Sequence, residues 1–149
     1  MEICDRRLLH VLDALLWIAD HTDAERALAQ RRLAQLQGVP TRFLEHHLQR
    51  LVRAGILTGS RGPRGGYRLA RPAEQISLGE VVAIVRGHRR REGAKHEIAS
   101  PYAETAILPL VAEIEETIAH LLHSRTLADL LAAHRRAGGA PQSRLEDVA

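Results

Sequence analysis

The chain has 149 residues, with 21 Lys and Arg against 18 Asp and Glu for a formal net charge of +3. That length suits one domain with at most an appendage, and a hydrophobic content of 45% excludes wholesale disorder. Leu and Ala, 22 of each, fill nearly a third of the chain while aromatics reach only 3%, which favours helices over a β-sandwich or barrel.

In chain order, Leu8, Leu9, Leu12, Leu15, Leu16 and Ala19 recur at steps of three and four, predicting an amphipathic helix over 5–20. Thr22 and Asp23 are good N-cap types, and 22–28 reads as a short connection or helical turn. A second helix over 29–37 turns Leu33 and Leu36 inward and stops at Gly38, where Pro40 prevents simple continuation. Thr41 is expected to cap a third helix to Ala54, with Phe43, Leu44, Leu48, Leu51 and Val52 on its apolar face. Helix, glycine turn, helix is the outline of a helix-turn-helix.

The period then changes. Ile56-Leu57-Thr58 and Tyr67-Arg68-Leu69 are β-prone runs flanking a Gly- and Pro-rich stretch, which predicts a hairpin, and a hairpin in this place is a wing. Ser77 is expected to cap a helix over 78–86, with Glu80 as its capping-box partner. From His88 to Pro101 the apolar period disappears, and this stretch is expected to be a mobile loop.

Beyond it Ile107, Val111, Ile114, Ile118 and Leu121 form a heptad stripe, widened by Leu108, Leu110 and Leu122. Such a stripe is broad enough to pack on its own domain and on a second subunit. Thr126 restarts a short helix from Leu127 to about Arg136, and Gly138-Gly139 ends it. The expected fold is mainly α with a small β-hairpin. A winged helix-turn-helix occupies 1–87, a loop 88–104, dimerisation helices 105–136 and a disordered tail 137–149.

Charge is unevenly placed along this scheme. Residues 1–91 carry 16 Arg against nine acids, or +7, and residues 92–149 carry five basic residues against nine acids, or −4. The stretch 42–71 holds seven Arg and one acid, Glu45. Twenty of the 21 basic residues are Arg, whose planar fork of donors suits phosphates and guanine edges. Double-stranded DNA is the partner this pattern implies. Thr41, Arg42, Glu45 and His46 lie in the first turns of the third helix, the end that meets base edges in the major groove. Arg61, Gly62, Arg64, Gly65 and Gly66 form a tip suited to the minor groove, where negative potential attracts guanidinium groups.

Other chemistries find less support. The tip lacks the Gly-Lys-Ser/Thr of a nucleotide phosphate loop, and no helix follows it directly. His120 and His123 are spaced i, i+3 and His46 and His47 are adjacent, but no cysteine or clustered carboxylate completes a metal site. His88, Arg89, Arg90, Arg91, Lys95 and His96 either add phosphate contacts or form a solvated loop. Cys4, the only cysteine, excludes an internal disulfide and lacks a resolving partner in the chain. No nucleophile–base or paired-carboxylate arrangement suggests an enzyme. No run approaches 18 apolar residues, and Glu2, Asp5 and Asp13 interrupt the N-terminus, so a cytoplasmic protein without membrane contact is expected.

Four motifs in order carry a family resemblance. Gly38-Val39-Pro40-Thr41-Arg42-Phe43-Leu44-Glu45 with Leu51-Val52-Arg53-Ala54-Gly55-Ile56-Leu57 resembles the recognition segment of the Rrf2 family, winged helix regulators of the IscR and NsrR kind. The wing Arg61-Gly62-Pro63-Arg64-Gly65-Gly66-Tyr67-Arg68-Leu69 is similar to that family's RGPGGGYRL signature, with Arg64 in place of Gly. Ile76-Ser77-Leu78-Gly79-Glu80-Val81-Val82 and Thr126-Leu127-Ala128-Asp129-Leu130-Leu131 resemble its later motifs, so the likeness covers about 5–135. The first helix carries His10 near the place of the family's usual Tyr.

The resemblance implies a homodimeric transcriptional regulator, a repressor, joined through Ile107, Val111, Ile114, Ile118 and Leu121. Its cluster-binding members hold iron and sulfur with three cysteines in the loop at 88–101. This chain has none there, so no iron–sulfur cluster or other cofactor is expected. Two alternatives stay open: a module of the same fold that regulates a partner protein without binding DNA, and a regulator that senses an unidentified small molecule or protein.

Overall fold

The computed structural model describes residues 5–87 and 100–139. Cys4, most of the expected loop and the tail from 140 lie outside the described residues. Six α-helices and one two-stranded hairpin follow in order: α1 Arg6–His21, α2 Gln30–Gln37, α3 Thr41–Arg53, β1 Leu57–Ser60, β2 Gly66–Leu69, α4 Leu78–Arg86, α5 Leu108–His123 and α6 Leu127–Arg136.

The first helix starts where Asp5 accepts a hydrogen bond from the Leu8 amide at 2.8 Å. That bond holds the Asp5 carboxyl below its ordinary pKa, because the amide stabilises the charged form. Its buried face is Leu8, Val11, Ala14, Leu15 and Ile18. Leu9, expected on that face, is 54% exposed. Position 9 falls one residue, about 100°, from the buried Leu8, and the apolar stripe is narrower than the leucine pattern suggests.

α2 ends at Gly38, whose φ of 64° is the left-handed conformation expected of a helix terminator. The following helix starts differently from expectation. Pro40 occupies the N-cap of α3 without a side-chain hydrogen bond, and Thr41 is the first helical residue, so it does not cap. The Pro40 carbonyl takes the Phe43 amide at 2.9 Å instead. Leu44, Leu48 and Leu51 are fully buried, while Phe43 and Val52 are half-buried against the same core.

His10 ties the three helices together. Its Nδ1–H donates to Gln37 Oε1 at 3.0 Å, and the Gln37 amide donates to the His10 carbonyl at 2.9 Å and to Asp13 Oδ2 at 2.8 Å. The His10 ring meets Phe43 of α3 edge-on at 5.2 Å.

The hairpin pairs Leu57 with Leu69, Thr58 with Arg68, Gly59 with Tyr67 and Ser60 with Gly66. It reaches further toward the tip than expected. The stretch 22–28, expected as a turn, supplies a third strand-like element. The Leu28 amide donates to the Tyr67 carbonyl at 3.0 Å and the Tyr67 amide donates back at 2.9 Å. This approach requires glycine at 66, where φ is +156° and a Cβ would stand 2.4 Å from the Leu28 oxygen.

Ser77 caps α4 by accepting from the Glu80 amide at 3.2 Å. The reciprocal half of the expected capping box does not form. The Glu80 carboxylate turns instead to Arg71 at 2.6 Å, because a charged guanidinium outcompetes a neutral amide for it. At α6 the box is complete between Thr126 and Asp129.

A π-turn over Ala103–Ile107 opens the helical run into α5. Pro109 in the following turn has no amide to bond the carbonyl four residues back, which favours the wider turn. The chain then returns: the Leu127 amide reaches the Ile76 carbonyl at 3.0 Å, the Leu78 amide reaches Arg125 at 2.8 Å, and Leu127 enters the same core as α1, α3 and α4.

Gly66→Ala forces backbone against backbone at Leu28. It is expected to lower unfolding free energy by about 1–3 kcal/mol and to speed amide exchange at Leu28 and Tyr67. Gly59→Ala, whose Cβ meets only ordinary contacts at 3.6–3.9 Å, should leave those two amides protected.

Candidate nucleic-acid interface

Thr41, Arg42, Glu45 and His46 are all exposed on the N-terminal turns of α3. Arg61, Gly62 and Arg64 are exposed at the wing tip, with Gly65 and Gly66 half-buried at its base. The hairpin packs beside α3, so the two groups border one surface. An open groove of about 540 Å³ separates the wing from the C-terminal half of α3, lined by Gln49, Val52 and Arg53 of α3, Gln30 of α2 and the strands of the wing.

The seven arginines of 42–71 divide into two classes. Arg50 donates to the Val85 carbonyl at 3.2 Å, Arg68 donates to the Ala24 carbonyl, and Arg71 holds Glu80, the Gln75 carbonyl and the Gly55 carbonyl. These three brace the fold. Arg42, Arg53, Arg61 and Arg64 have no hydrogen-bond or ion-pair partner among the described residues and are exposed. Charge density alone could not separate the two classes, since each arginine adds one positive charge whatever it bonds.

A polar clip fixes the relation of α3 to the wing. Gln30 Nε2 donates to the Thr41 carbonyl at 3.0 Å, and the Tyr67 hydroxyl donates to Gln30 Oε1 at 3.3 Å. Burial, and then the nearby Glu45 carboxylate, push the Tyr67 hydroxyl above its ordinary pKa, so it stays a donor. Gln30, Gln49, Arg53 and Tyr67 were not legible as site residues. Their amides, hydroxyl and guanidinium become a site only when the wing folds back on α2 and α3.

His46 and His47, adjacent in sequence, differ in burial although their rings meet edge to face at 5.5 Å. His46 is exposed, whereas His47 is 9% exposed on the inner face of α3, and its Nδ1 is buried without a hydrogen-bond partner. Burial depresses the His47 pKa below 6.5, and the positive charges of His46, Arg50 and Arg7 add to this against the weaker opposing pull of Asp5. Among the described residues no three His, Cys, Asp or Glu side chains converge on a point where they could hold a metal ion.

The stripe expected on α5 is arranged along one helix but largely uncovered. Ile107 is 51% exposed, Ile114 40% and Leu121 54%, with Val111 and Ile118 half-buried. No residue of α5 is fully buried. Among the described helices none is long and apolar enough to cross a membrane.

Comparison with known proteins agrees with this geometry. The sequence pattern of the Rrf2 family, described as "Iron-dependent Transcriptional regulator", matches residues 5–133. An Rrf2-like protein of Rhodobacter capsulatus, named as an HTH-type transcriptional regulator, is 32% identical over 137 residues, covering 86% of this chain and 91% of its own. The regulator IscR of Photobacterium profundum is 38% identical over 77 residues, 51% of this chain and 44% of its own. The structure of T. potens IscR superposes with a TM-score of 0.74 at 24% identity, covering 92% and 91% of the two chains, a likeness of fold.

The folded state resists protonating His47, so the unfolded chain takes up that proton first. Stability is complete above pH 6.5 and is lost as the pH falls through it. Thermal unfolding between pH 7.5 and 5.5 should show a fall in Tm that is smaller in His47→Leu. An equal fall in both proteins contradicts this account of His47.

Proposed function

The chain belongs to the Rrf2 family of transcriptional regulators, and on that premise we propose that it is a homodimeric repressor that reads a two-fold operator in duplex DNA. The observation that carries this reading is the set of four exposed guanidinium groups without a partner among the described residues, Arg42, Arg53, Arg61 and Arg64, on α3 and the wing beside it. A cytoplasmic place of work follows from a DNA partner.

In this reading α3 enters a major groove. Arg42 pairs bidentately with guanine, worth about 1–3 kcal/mol of discrimination, and Glu45 accepts from a cytosine amino group. Thr41 and His46 stand beside them on the same turns. The wing tip enters the adjacent minor groove with Arg61 and Arg64, where Gly62, Gly65 and Gly66 permit close backbone approach. Affinity falls with salt at a slope of about −0.9 per phosphate neutralised.

The uncovered stripe of Ile107, Val111, Ile114, Ile118 and Leu121 supports dimerisation through a second copy. That pairing sets the two half-sites about one helical turn or a multiple apart. Repression is the direction that the family resemblance implies.

Iron is the cofactor the family description raises, and the donor set does not fit the familial cluster. The segment 88–101 has no cysteine, and Cys4 is the only one in the chain. The proposed regulator therefore carries no cluster of that kind. A protein-interaction module is the second reading, favoured by the same exposed apolar residues of α5.

Gel shifts with the DNA upstream of its own gene are expected to show salt-dependent binding. Arg42→Ala should relax the preference at one base position. Arg61→Ala with Arg64→Ala should weaken every duplex at moderate salt, and unchanged affinity overturns the wing assignment. Sedimentation at micromolar concentration should give a dimer. A monomer, or co-purification with one enzyme and no DNA shift, favours the second reading.

A further inference from the structure

The groove between α3 and the wing is not accounted for by base contacts in the major groove or by the wing tip in the minor groove. A strand of duplex DNA that presents a major groove to α3 and the neighbouring minor groove to the wing must pass its sugar–phosphate backbone between them. The groove lies in that place and is open to solvent.

Its chemistry suits a phosphodiester. One wall carries Arg53, the last residue of α3, and the other carries Arg61 at the start of the wing loop. Both guanidinium groups are exposed and without a hydrogen-bond or ion-pair partner among the described residues. Ser60 adds a neutral donor along the rim, and Gln49 adds the amide hydrogen left beside the one it gives to Glu45 Oε1 at 3.4 Å. The floor is the Tyr67 ring, held by its hydroxyl to Gln30, beside Val52 and the bare backbone of Gly59.

We propose that this groove is a phosphate seat, in which Arg53, with Gln49 and Ser60, binds the backbone of one DNA strand between the two groove contacts. The proposal rests on the DNA-binding reading and adds a contact class to it. Arg53 contributes affinity without sequence preference, because a phosphate carries no base identity. Its place at the C-terminal end of α3, away from the turns that face base edges, separates it from Arg42.

Gly59 supplies a test that removes no charge. A Cβ at this position meets the Tyr67 ring at 3.6 Å and Val52 at 3.9 Å, ordinary van der Waals contacts, so alanine fits the strand and its methyl group narrows the groove floor. Full-length protein is titrated with two duplexes, the DNA upstream of its own gene and an unrelated sequence, from 50 to 300 mM salt.

Arg53→Ala is expected to reduce the salt slope by about 0.9, hence to weaken both duplexes by the same factor of about eight at 0.1 M salt. Gly59→Ala is expected to weaken both, with the circular dichroism and Tm of the parent. If Arg53→Ala keeps the parental slope on a duplex that the parent binds, the phosphate seat is wrong and the DNA reading stands. If the parent binds neither duplex, the DNA reading itself fails and takes the seat with it.

Discussion

The two backbone hydrogen bonds between Leu28 and Tyr67 set the geometry on which the rest of this molecule depends. A two-stranded hairpin alone is marginal in water. Here it gains a third strand-like element from the segment between α1 and α2, and the wing becomes continuous with the helix-turn-helix. Gly66 makes that approach sterically permissible, and Gln30 extends it by joining the Tyr67 hydroxyl to the backbone at the start of α3. The spacing between α3 and the wing is therefore built into the fold. The width of the groove that separates them is a consequence of the same contacts.

Arginine does two jobs in this chain, and the presence of a carbonyl or carboxylate within reach decides which. Arg50, Arg68 and Arg71 saturate carbonyls and the Glu80 carboxylate across element boundaries, replacing solvent hydrogen bonds with internal ones. Arg42, Arg53, Arg61 and Arg64 are exposed and have no hydrogen-bond or ion-pair partner among the described residues. His47 is the converse case: a polar ring on the inner face of α3 with an unsatisfied nitrogen, a feature that costs about 1–3 kcal/mol and that makes the core around α3 sensitive to acid.

Much of the architecture was legible because it rests on local signals. The three- and four-residue leucine steps of α1, the glycine at 38 and the Thr126 cap each act within a few residues, and the structure has all three. What was not legible depends on partners distant in the chain. Glu80 leaves its capping box because Arg71 is nearer to its needs. The segment 22–28 takes up strand pairing because Tyr67 is presented to it. Leu9 and Ile107, Ile114 and Leu121 of the stripe are apolar yet exposed among the described residues. The candidate site divides in the same way: the helix and tip residues could be named from their motifs and are mostly exposed, while Gln30, Gln49, Arg53 and Tyr67 line the groove only in the folded chain.

The central claim is that α3 and the wing form one rigid unit that engages two adjacent grooves of the same duplex. Chemical footprinting on the DNA upstream of the protein's own gene reads this directly, with methylation protection of guanine N7 for the major groove and hydroxyl-radical cleavage of sugars for the minor groove. The account predicts, in each half-site, a protected major-groove guanine flanked by a protected minor-groove segment, and the pattern repeated with two-fold symmetry. Protection confined to one groove contradicts it.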